Sequence, residues 1–114
     1  MPSGIRVLTM DDAEVVELEE GLLVSRRLVR RTHGSEGASL NVSTVNEGYD
    51  GDASYDENDE IVYVLEGEAD VDYDGEHHTL RPGMAMFVPR GATYHYRVTR
   101  GPNELLVVFV PARS

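Results

Sequence analysis

Turn-forming residues recur every eight to twelve positions along this chain, and short β-branched or alternating runs lie between them. Such regular spacing is typical of proteins built from many short strands. A chain patterned in this way folds as a sandwich or a barrel, so we predict an all-β fold. The runs predicted as strands are Ile5–Leu8, Glu14–Leu18, Leu22–Arg30, Ser39–Val45, Ile61–Leu65, Ala69–Tyr73, Ala85–Val88, Tyr94–Val98 and Leu105–Val110.

Other local signals are few. No window shows a long helical period, and Met10–Ala13 is predicted to form one helical turn capped by Thr9. The pair Asp74-Gly75 lies between the run Ala69–Tyr73 and a strand near Leu80. An Asp-Gly pair in this setting predicts a two-residue hairpin turn.

The length of 114 residues fits one compact domain with a single core and is too short for two. We therefore expect a single domain over residues 1–114, in which residues 1–20 form an N-terminal arm or edge strands. We also expect this arm to pair with a second copy, because pairing removes an exposed strand edge. The expected assembly is a homodimer.

Composition excludes several classes of function. The chain has no cysteine, which rules out disulfides, thiolate zinc sites and thiol nucleophiles. Its formal net charge of −11 argues against a nucleic-acid partner, since neutralising phosphates needs a basic surface. No stretch approaches the ~20 apolar residues of a membrane-spanning helix, and no basic leader precedes an apolar run. We expect a cytoplasmic protein with a small-molecule ligand and no membrane partner.

The charges are unevenly placed. All ten basic residues are arginines, and none lies between Arg31 and Arg81, whereas residues 50–76 are dense in carboxylates. Two interpretations stay open: an anionic surface that holds cations, and a solvated surface suited to high salt, where screening weakens self-repulsion. We favour the second, which needs no bound ion.

Two segments carry motif-like spacing. The first ends in Glu60-Ile-Val-Tyr-Val-Leu-Glu-Gly67, and the second reads Gly83-Met-Ala-Met-Phe-Val-Pro89-Arg-Gly91. With the hairpin at Asp74-Gly75 between them, these segments resemble the two halves of the cupin signature. The resemblance covers about two-thirds of the chain. It implies a single-domain, cupin-type jelly-roll β-barrel.

The cupin signature implies a metal site inside the barrel. Alternate residues of a strand point to one face, so a His-x-His pair, a downstream Glu and a His from a facing strand converge there. Such a set holds a divalent transition metal; the cofactor is left open, with Fe, Mn, Ni or Zn as candidates. In this chain Ser54 and Asp56 occupy the first-motif His positions, Tyr94 occupies the second-motif position, and Glu60 is retained.

A closer resemblance, to ectoine synthases, extends toward the N-terminus. It rests on Ser25-Arg-Arg-Leu28, Gly37-Ala-Ser-Leu40, the Glu60–Ala69 segment and Val107-Val-Phe-Val-Pro111. Ectoine synthases are cupins that cyclise a diamino acid derivative by losing water. The resemblance implies that five side chains face the cavity: Arg27, Asn41, Ser43, Glu60 and Phe109. That family holds iron with a Glu, a Tyr and a His, and the matching positions here are Glu60, Met86 and Tyr94.

Glu60 is the strongest single candidate for a catalytic or metal-binding residue. A carboxylate that opens the apolar run Ile61–Leu65 is costly inside a barrel unless it meets a metal, an arginine or hydrogen bonds. The alternative is a solvated position at the barrel mouth. Tyr94, whose hydroxyl can donate or accept, is the second catalytic candidate.

Other residues are candidates for binding a substrate or a metal. Arg27 alternates with apolar neighbours and would anchor a substrate carboxylate, or else extend to the surface. The predicted substrate-binding set is completed by Tyr55, Met86 and Tyr96, although tyrosine is also an ordinary strand residue. The candidate metal ligands are Glu60, Asp56 and His95. Strand alternation points His95 away from the cavity unless a bulge re-aims it.

Two functions stay open. One is a divergent cupin that binds a small polar metabolite in a non-catalytic or accessory role, and the loss of the signature His residues favours it. The other is a lyase or cyclising hydro-lyase, in which Glu60 holds a metal or acts as acid/base, Tyr94 donates a proton and Arg27 anchors the substrate. Retention of Glu60 and the N-terminal resemblance to ectoine synthases favour the lyase, and fold alone does not decide function. We favour the binding role.

Overall fold

The structure is a computed structural model that describes residues 4–114. Strands and short 3-10 turns make up its regular elements, with no α-helix in the described part of the chain. The strands are β1 (Glu14–Leu18), β2 (Leu23–Val29), β3 (Ser39–Val45), β4 (Asp50–Ser54), β5 (Asp59–Tyr73), β6 (Glu76–Leu80), β7 (Ala85–Val88) and β8 (Thr93–Val110). The predicted all-β fold is confirmed. Within residues 4–114, no helix has the length and apolar character needed to cross a membrane.

Two long strands, β5 and β8, run through both layers of the molecule. The strands follow the order β1-β2-β3-β8-β5-β6, with β4 added on β8 and β7 on β5, and over residues 4–114 this path does not close on itself. The first half of β5 pairs with the second half of β8 and with β7. Its second half pairs with the first half of β8 and with β6. One layer is therefore β1-β2-β3-β8-β5-β7, and the other is β4-β8-β5-β6.

β5 changes layers at an irregular segment around Gly67. Its register with β8 shifts repeatedly between Val64 and Ala69, and Gly67 has a φ of +84°. A Cβ at this position would collide with the Asn103 side chain and with the backbone carbonyls beside it. Only glycine fits both the backbone conformation and the space.

The core lies between the layers and is built mostly from β5 and β8. Alternate residues of these strands face inward, and the buried apolar members are Val62, Val64, Ala69, Val71, Tyr94, Tyr96, Val98, Leu105, Val107 and Phe109. Fully burying a valine or leucine stabilises a fold by roughly 1.5–3 kcal/mol. These two strands therefore hold the layers together.

Several predicted local elements are confirmed. β1, β3 and β7 have the predicted bounds, and β2 is one residue shorter at each end. The predicted helical turn is a 3-10 turn over Met10–Asp12, with Thr9 as its N-cap. Asp74 and Gly75 connect β5 to β6 with φ values of +50° and +81°, as a two-residue hairpin requires.

The N-terminal prediction is wrong in one respect. Ile5–Leu8 is not a strand, and Ile5 and Val7 are 97% and 86% exposed. A strand needs an edge with which to pair, and the register gives this segment none within the described residues. Residues 1–3 of the predicted arm lie outside the described residues.

Two other predictions differ from the structure. β4 was not expected, because Asp and Gly disfavour strands. Its pairing places Asp50 opposite Arg97 and Asp52 opposite His95. Cross-strand pairs of opposite charge stabilise a strand and offset the poor strand propensity of its residues. The four short strands predicted along β5 and β8 are instead two long ones. Backbone pairing continues through the bends, which the turn residues in the sequence do not reveal.

Candidate functional site

A cavity of about 430 Å³ lies on the inner face of the larger layer. Its wall comes from β2, β3, β5 and β8, with Tyr55 after β4 and Arg113 after β8. A smaller cavity of about 70 Å³ adjoins it, since both are lined by Leu23, Ser43, Tyr55 and Glu60. Together they offer space for a small molecule.

β2 and β3 contribute a polar wall, which comprises Ser25, Arg27, Asn41 and Ser43. Antiparallel pairing places Ser25 opposite Ser43 and Arg27 opposite Asn41, so these four side chains share one face. The alternation in the sequence did not reveal which face of β3 is the cavity face. The structure places the polar set inside and turns Leu40 and Val42 outward.

The carboxamide of Asn41 is the least satisfied group of the polar wall. Asn41 is 8% exposed, and its Oδ1 atom has no hydrogen-bond partner within the described residues. A buried polar atom without a partner costs roughly 1–3 kcal/mol. Few such atoms occur in folded proteins. Because Asn41 lines the cavity, a bound molecule with a hydrogen-bond donor can supply the missing partner.

Arg27 stands where the polar wall meets solvent. Its guanidinium lies 3.7 Å from the carboxylate of Glu14, and the two side chains are 33% and 52% exposed. An ion pair this exposed contributes little stability. The guanidinium can therefore turn toward an anionic ligand at small energetic cost.

Glu60 on the larger layer and Tyr94 on the other layer form a buried pair. Glu60 is 3% exposed, and its Oε1 accepts a 2.8 Å hydrogen bond from the Tyr94 hydroxyl. Burial raises the pKa of the Glu60 carboxyl, against the opposing effects of the Tyr94 hydrogen bond and the Arg113 charge. Burial also raises the pKa of Tyr94, further increased by the nearby Glu60 carboxylate. Tyr94 is therefore a neutral hydrogen-bond donor, and Glu60 can accept or release a proton nearer neutrality than an ordinary carboxyl.

Tyr55, Phe109 and Arg113 form a stacked group at the side of the larger cavity. The Tyr55 and Phe109 rings meet edge to face with centroids 4.8 Å apart. The Arg113 guanidinium carbon lies 4.5 Å from the Tyr55 centroid, within the range of a cation–π contact. Burial, with the charge of Glu60, raises the pKa of Tyr55 to about 12. This group brings a second cation to the cavity.

Tyr96 and Met86 line the smaller cavity in different ways. The Tyr96 hydroxyl donates a 2.6 Å hydrogen bond to Oδ1 of Asn103, so only its ring is presented to the cavity. Asn103 is held in turn, since its Nδ2 donates to the carbonyls of Glu68 and Arg100. Met86 pairs in register with Val62 and closes the cavity beside Tyr94.

The predicted metal set of Glu60, Asp56 and His95 is corrected by the structure. Asp56 is exposed in a bend after β4. His95 lies on the outer face, where its Nδ1 is 2.7 Å from Asp52 and its Nε2 contacts Asp50. β4 pairs with β8 without a bulge here, so strand alternation turns His95 away once Tyr94 points inward.

The donor set of the cavity does not fit a divalent transition metal. Such ions need several nitrogen, sulfur or carboxylate ligands at one point. Among the lining residues Glu60 is the only one with a carboxylate side chain, and no imidazole is present. The described residues contain no group of three or more His, Cys, Asp or Glu side chains that could hold an ion.

The residues predicted to bind substrate or to catalyse all line one of the two cavities; they are Arg27, Asn41, Ser43, Tyr55, Glu60, Met86, Tyr94, Tyr96 and Phe109. Sequence reasoning missed Ser25, Tyr49 and Arg113. Ser25 lies two positions from Arg27 on the same strand, so alternation could have found it. Arg113 follows the last strand, where no periodic pattern marks it.

Comparison with known families and proteins matches the chain to cupins. The family model described as "Cupin domain" matches residues 41–110. A relative from Aquifex aeolicus (strain VF5), described as an uncharacterized protein, is 36% identical over 56 residues. That match covers 49% of this chain and 46% of the relative. The chain spans about half the length of the curated relative it matches.

Solved structures extend the likeness to most of the chain. Ectoine synthase from P. lautus is 29% identical, with a TM-score of 0.76 over 90% of this chain and 70% of that protein. KdgF from Halomonas sp. is 18% identical, with a TM-score of 0.80 over 95% of this chain and 96% of that protein. The second likeness concerns the fold alone.

Proposed function

The chain belongs to the cupin family, with the expected all-β, jelly-roll type of fold. From this premise, we propose that it binds a small anionic metabolite in the cavity. In this proposal the protein acts as a binding or accessory protein without a metal. The ligand carries an anionic group, such as a carboxylate, and a hydrogen-bond donor such as a hydroxyl or an amine. The polar wall accounts for the donor on the ligand, and the arginines of the cavity account for its anionic group.

The observation that carries the proposal is that Oδ1 of Asn41 has no hydrogen-bond partner among residues 4–114. A buried acceptor without a partner is energetically unfavourable, and a donor on a ligand that reaches it removes that cost. Ser25 and Ser43, which are 7% and 5% exposed, flank it with hydroxyls. A ligand with hydrogen-bond donors in its middle part would pair with Oδ1 of Asn41 and with the hydroxyl oxygens of Ser25 and Ser43.

The charges of the cavity support an anionic group on the ligand. Arg27 and Arg113 both line the larger cavity, whereas Glu60 is the one lining residue with a carboxylate side chain. Burial raises the pKa of Glu60, so its carboxyl binds a proton more readily than an ordinary carboxyl does. A guanidinium pairs well with a carboxylate because its N–H groups match the two oxygens. The cavity is thus cationic at its rim in a chain of net charge −11.

Ligand-dependent thermal stability tests the proposal. The probes are small hydroxy, keto, amino and sugar acids, each compared with its uncharged amide. Because a ligand that binds the native state raises the melting temperature, we expect at least one acid to raise it, and its amide to do so less. Arg27→Ala and Asn41→Leu should each reduce the shift.

The control variant is Val7→Ala, which changes a residue that is 86% exposed and outside the cavity lining. Its melting-temperature shift should equal that of the unmodified chain. The proposal fails if no acid gives a shift, or if the shift persists in Asn41→Leu.

A second function is supported by the buried Glu60–Tyr94 pair. A carboxyl group with a raised pKa that faces a ligand cavity is suited to general acid/base work. The likeness to ectoine synthase, at 29% identity over 90% of this chain, supports a lyase or cyclising hydro-lyase. Glu60 would take a proton from the substrate and return it to a leaving hydroxyl, which departs as water. Tyr94 would hold the carboxylate in place.

Turnover separates the two functions. Once an acid that binds is known, proton NMR follows the mixture of protein and acid over hours. A new product that forms with the unmodified chain and not with Glu60→Gln supports the enzyme. An unchanged spectrum together with binding supports the accessory role.

A further inference from the structure

A third cavity, of about 150 Å³, lies at one side of the molecule and is lined by residues of both layers. β7 is the last strand of the larger layer on this side, and β6 is the last strand of the other layer. No pairing joins β6 to β7 within residues 4–114, so the layers part here. We call this space, between Val71 on β5, His78 on β6 and Val88 on β7, the edge cavity.

The floor of the edge cavity is apolar and buried. Val88 lies opposite the buried Glu60 in the β5–β7 register, so it faces inward from β7. Val71 and Val88 are 3% and 7% exposed. An apolar cavity of about 150 Å³ is large enough to hold one benzene ring. Burying an apolar group of a ligand against this floor is favourable.

Aromatic and sulfur side chains form the walls of the edge cavity. Tyr94 lines it with a hydroxyl that is already donated to Glu60. Tyr73 and Phe87, at 44% and 63% exposed, lie at its opening. Aromatic rings attract one another in offset or edge-to-face contacts, and the Met86 thioether makes favourable contacts with a ring edge. These walls favour an aromatic ring over an aliphatic group of the same size.

His78 gives the edge cavity one polar side chain that can reach a ligand. It lies opposite Val71 in the β5–β6 register, so its side chain shares the inward face. Its Nε2 atom is 3.4 Å from the Glu76 carboxylate, and the two side chains are 58% and 70% exposed. An ion pair this exposed holds its members weakly. The imidazole can therefore turn toward a ligand hydroxyl, to which it offers a donor or an acceptor nitrogen.

The charges around the edge cavity disfavour an anion. Arg27 and Arg113 line the larger cavity, but no arginine is among the lining residues of the edge cavity. Arg90, which is close to it in the chain, lies 3.2 Å from the Asp59 carboxylate. The outer side of the smaller layer adjoins this cavity through β5 and carries a set of carboxylates that we call the outer acidic surface: Asp50, Asp52, Asp70 and Asp72. A neutral ligand avoids repulsion from these charges.

We propose that the edge cavity is a second ligand site, which takes a neutral molecule of the phenol class, with one aromatic ring and a hydroxyl. The ring lies against the floor between Val71 and Val88, and the hydroxyl pairs with His78. This inference goes beyond the anionic metabolite proposed above, whose cavities share only the side chains of Met86 and Tyr94 with this one. Failure of either proposal leaves the other standing.

A methyl NMR titration with phenol tests the proposal. Val71 and Val88 line the edge cavity alone, whereas Val45 and Leu105 line only the smaller of the other two cavities. A bound ring shifts nearby methyl signals through its ring current. We expect saturable shifts at Val71 and Val88 and little change at Val45 and Leu105. Cyclohexanol, which lacks the aromatic ring, should have a dissociation constant roughly fivefold higher or more, and benzoate should also bind less tightly because it is charged.

Ala92→Leu and Ala53→Leu are a matched pair of variants. Both add the same bulk, the first in the edge cavity and the second in the smaller of the other two cavities. Ala92→Leu should raise the dissociation constant of phenol by roughly tenfold or more, because leucine takes the space of the ring. Ala53→Leu should leave that constant unchanged. His78→Leu should raise it by about fivefold, because the hydroxyl loses its partner.

Each outcome decides the proposal. Shifts at Val71 and Val88 that are lost in Ala92→Leu and kept in Ala53→Leu support it. Shifts centred on Val45, or shifts lost only in Ala53→Leu, would overturn it by placing the ring in the other cavity. Shifts that do not saturate, or equal binding of cyclohexanol, would overturn it as well. If far-UV circular dichroism shows that Ala92→Leu does not fold, the methyl shifts of the unmodified chain decide the site alone.

Discussion

The Tyr94 hydroxyl donates a 2.8 Å hydrogen bond to Oε1 of Glu60 inside the molecule. Both side chains are buried, at 7% and 3% exposed. Tyr94 occupies the position at which the cupin signature has its second-motif His. The cupin signature has metal ligands at these two positions, whereas here the two side chains are hydrogen-bonded to each other.

Removing the Tyr94 hydroxyl should destabilise the protein in a pH-dependent way. The hydrogen bond lowers the pKa of Glu60 against the larger effect of burial, so Tyr94→Phe raises that pKa further. The ionised carboxylate then lacks its donor, and we expect a loss of about 1–3 kcal/mol in the free energy of unfolding. The loss should be larger at pH 8 than at pH 4. Urea unfolding at the two pH values measures it.

Glu60→Gln in the Tyr94→Phe background is the control for this prediction. Gln cannot ionise, so the difference between the two pH values should shrink. An equal loss at both values in Tyr94→Phe alone would show that Glu60 does not titrate in this range.

Two buried asparagines should respond in opposite ways to replacement by leucine. Asn103 accepts from Tyr96 and donates to two carbonyls, whereas Oδ1 of Asn41 has no partner in the described chain. We expect Asn103→Leu to lower the free energy of unfolding by about 2–4 kcal/mol, because it leaves buried groups unpaired. Asn41→Leu should leave it unchanged or raise it by about 1 kcal/mol. Chemical denaturation of both variants measures the contrast, and a large loss in Asn41→Leu would contradict it.

Gly67 and Gly75 separate steric collision from backbone strain. Both have positive φ, at +84° and +81°. A Cβ at Gly67 would collide with Asn103 and adjacent carbonyls, but one at Gly75 would meet nothing within 4 Å. Gly75→Ala should cost about 1–2 kcal/mol from strain alone. Gly67→Ala should cost at least about 3 kcal/mol or prevent folding, and similar losses at the two positions would show that the bend can adjust.

The histidines of the outer acidic surface should titrate above their ordinary value. The hydrogen bonds to Asp52 and Asp50 raise the pKa of His95, and the hydrogen bond to Asp72 raises the pKa of His77. Asp72 also lies opposite His95 in the β5–β8 register. A raised folded-state pKa contributes stability that is complete below the unfolded value near 6.5 and is lost as pH rises through the folded value. Melting temperature should therefore fall as the pH rises from about 6 to 8.

NMR titration of the imidazole signals checks this assignment. Asp52→Asn should lower the pKa of His95, because it removes the carboxylate that contacts Nδ1. A His95 pKa at or below 6.5 in the unmodified chain would contradict the prediction.

Elemental analysis should find well below one equivalent of Fe, Mn, Ni or Zn per chain. The reason is the donor set of the cavity: within residues 4–114, no His, Asp or second Glu lies beside Glu60 to share an ion. The measurement uses protein purified without chelator and reloaded with each ion, alongside Glu60→Ala. Near-stoichiometric metal that disappears in the variant would show that the cavity rebuilds a cupin metal site from other donors.

Much of the fold could be predicted from local patterns, but the layer changes could not. Alternation and turn residues located β1, β3 and β7, and the Asp74-Gly75 hairpin. β4 escaped because its Asp and Gly residues are poor strand formers whose pairing depends on partners on β8. Such pairing depends on tertiary contacts, which a single sequence does not display.

The cavity residues were likewise only partly predictable from the sequence. Periodicity placed Asn41 and Ser43 on one face of β3 without revealing which face is enclosed, and only the family resemblance placed them inside. Of the predicted metal ligands, His95 faces outward because side-chain direction reverses at each position of a regular strand, and Asp56 lies in an exposed bend after β4. Arg113 reaches the cavity through a contact with Tyr55, and no local signal predicts a contact between positions so far apart in the chain.

β5 and β8 each belong to both layers, and this has a consequence for how the molecule opens. Neither layer can detach without breaking backbone pairing that is continuous with the other, so the two halves cannot act as separate folding units. Amide hydrogen exchange should report one slow class spanning Val62, Val71 and Val107, which opens only by global unfolding. The short edge strands β1 and β6 should exchange earlier. The cavity wall that β5 and β8 form would then be among the last parts of the molecule to open.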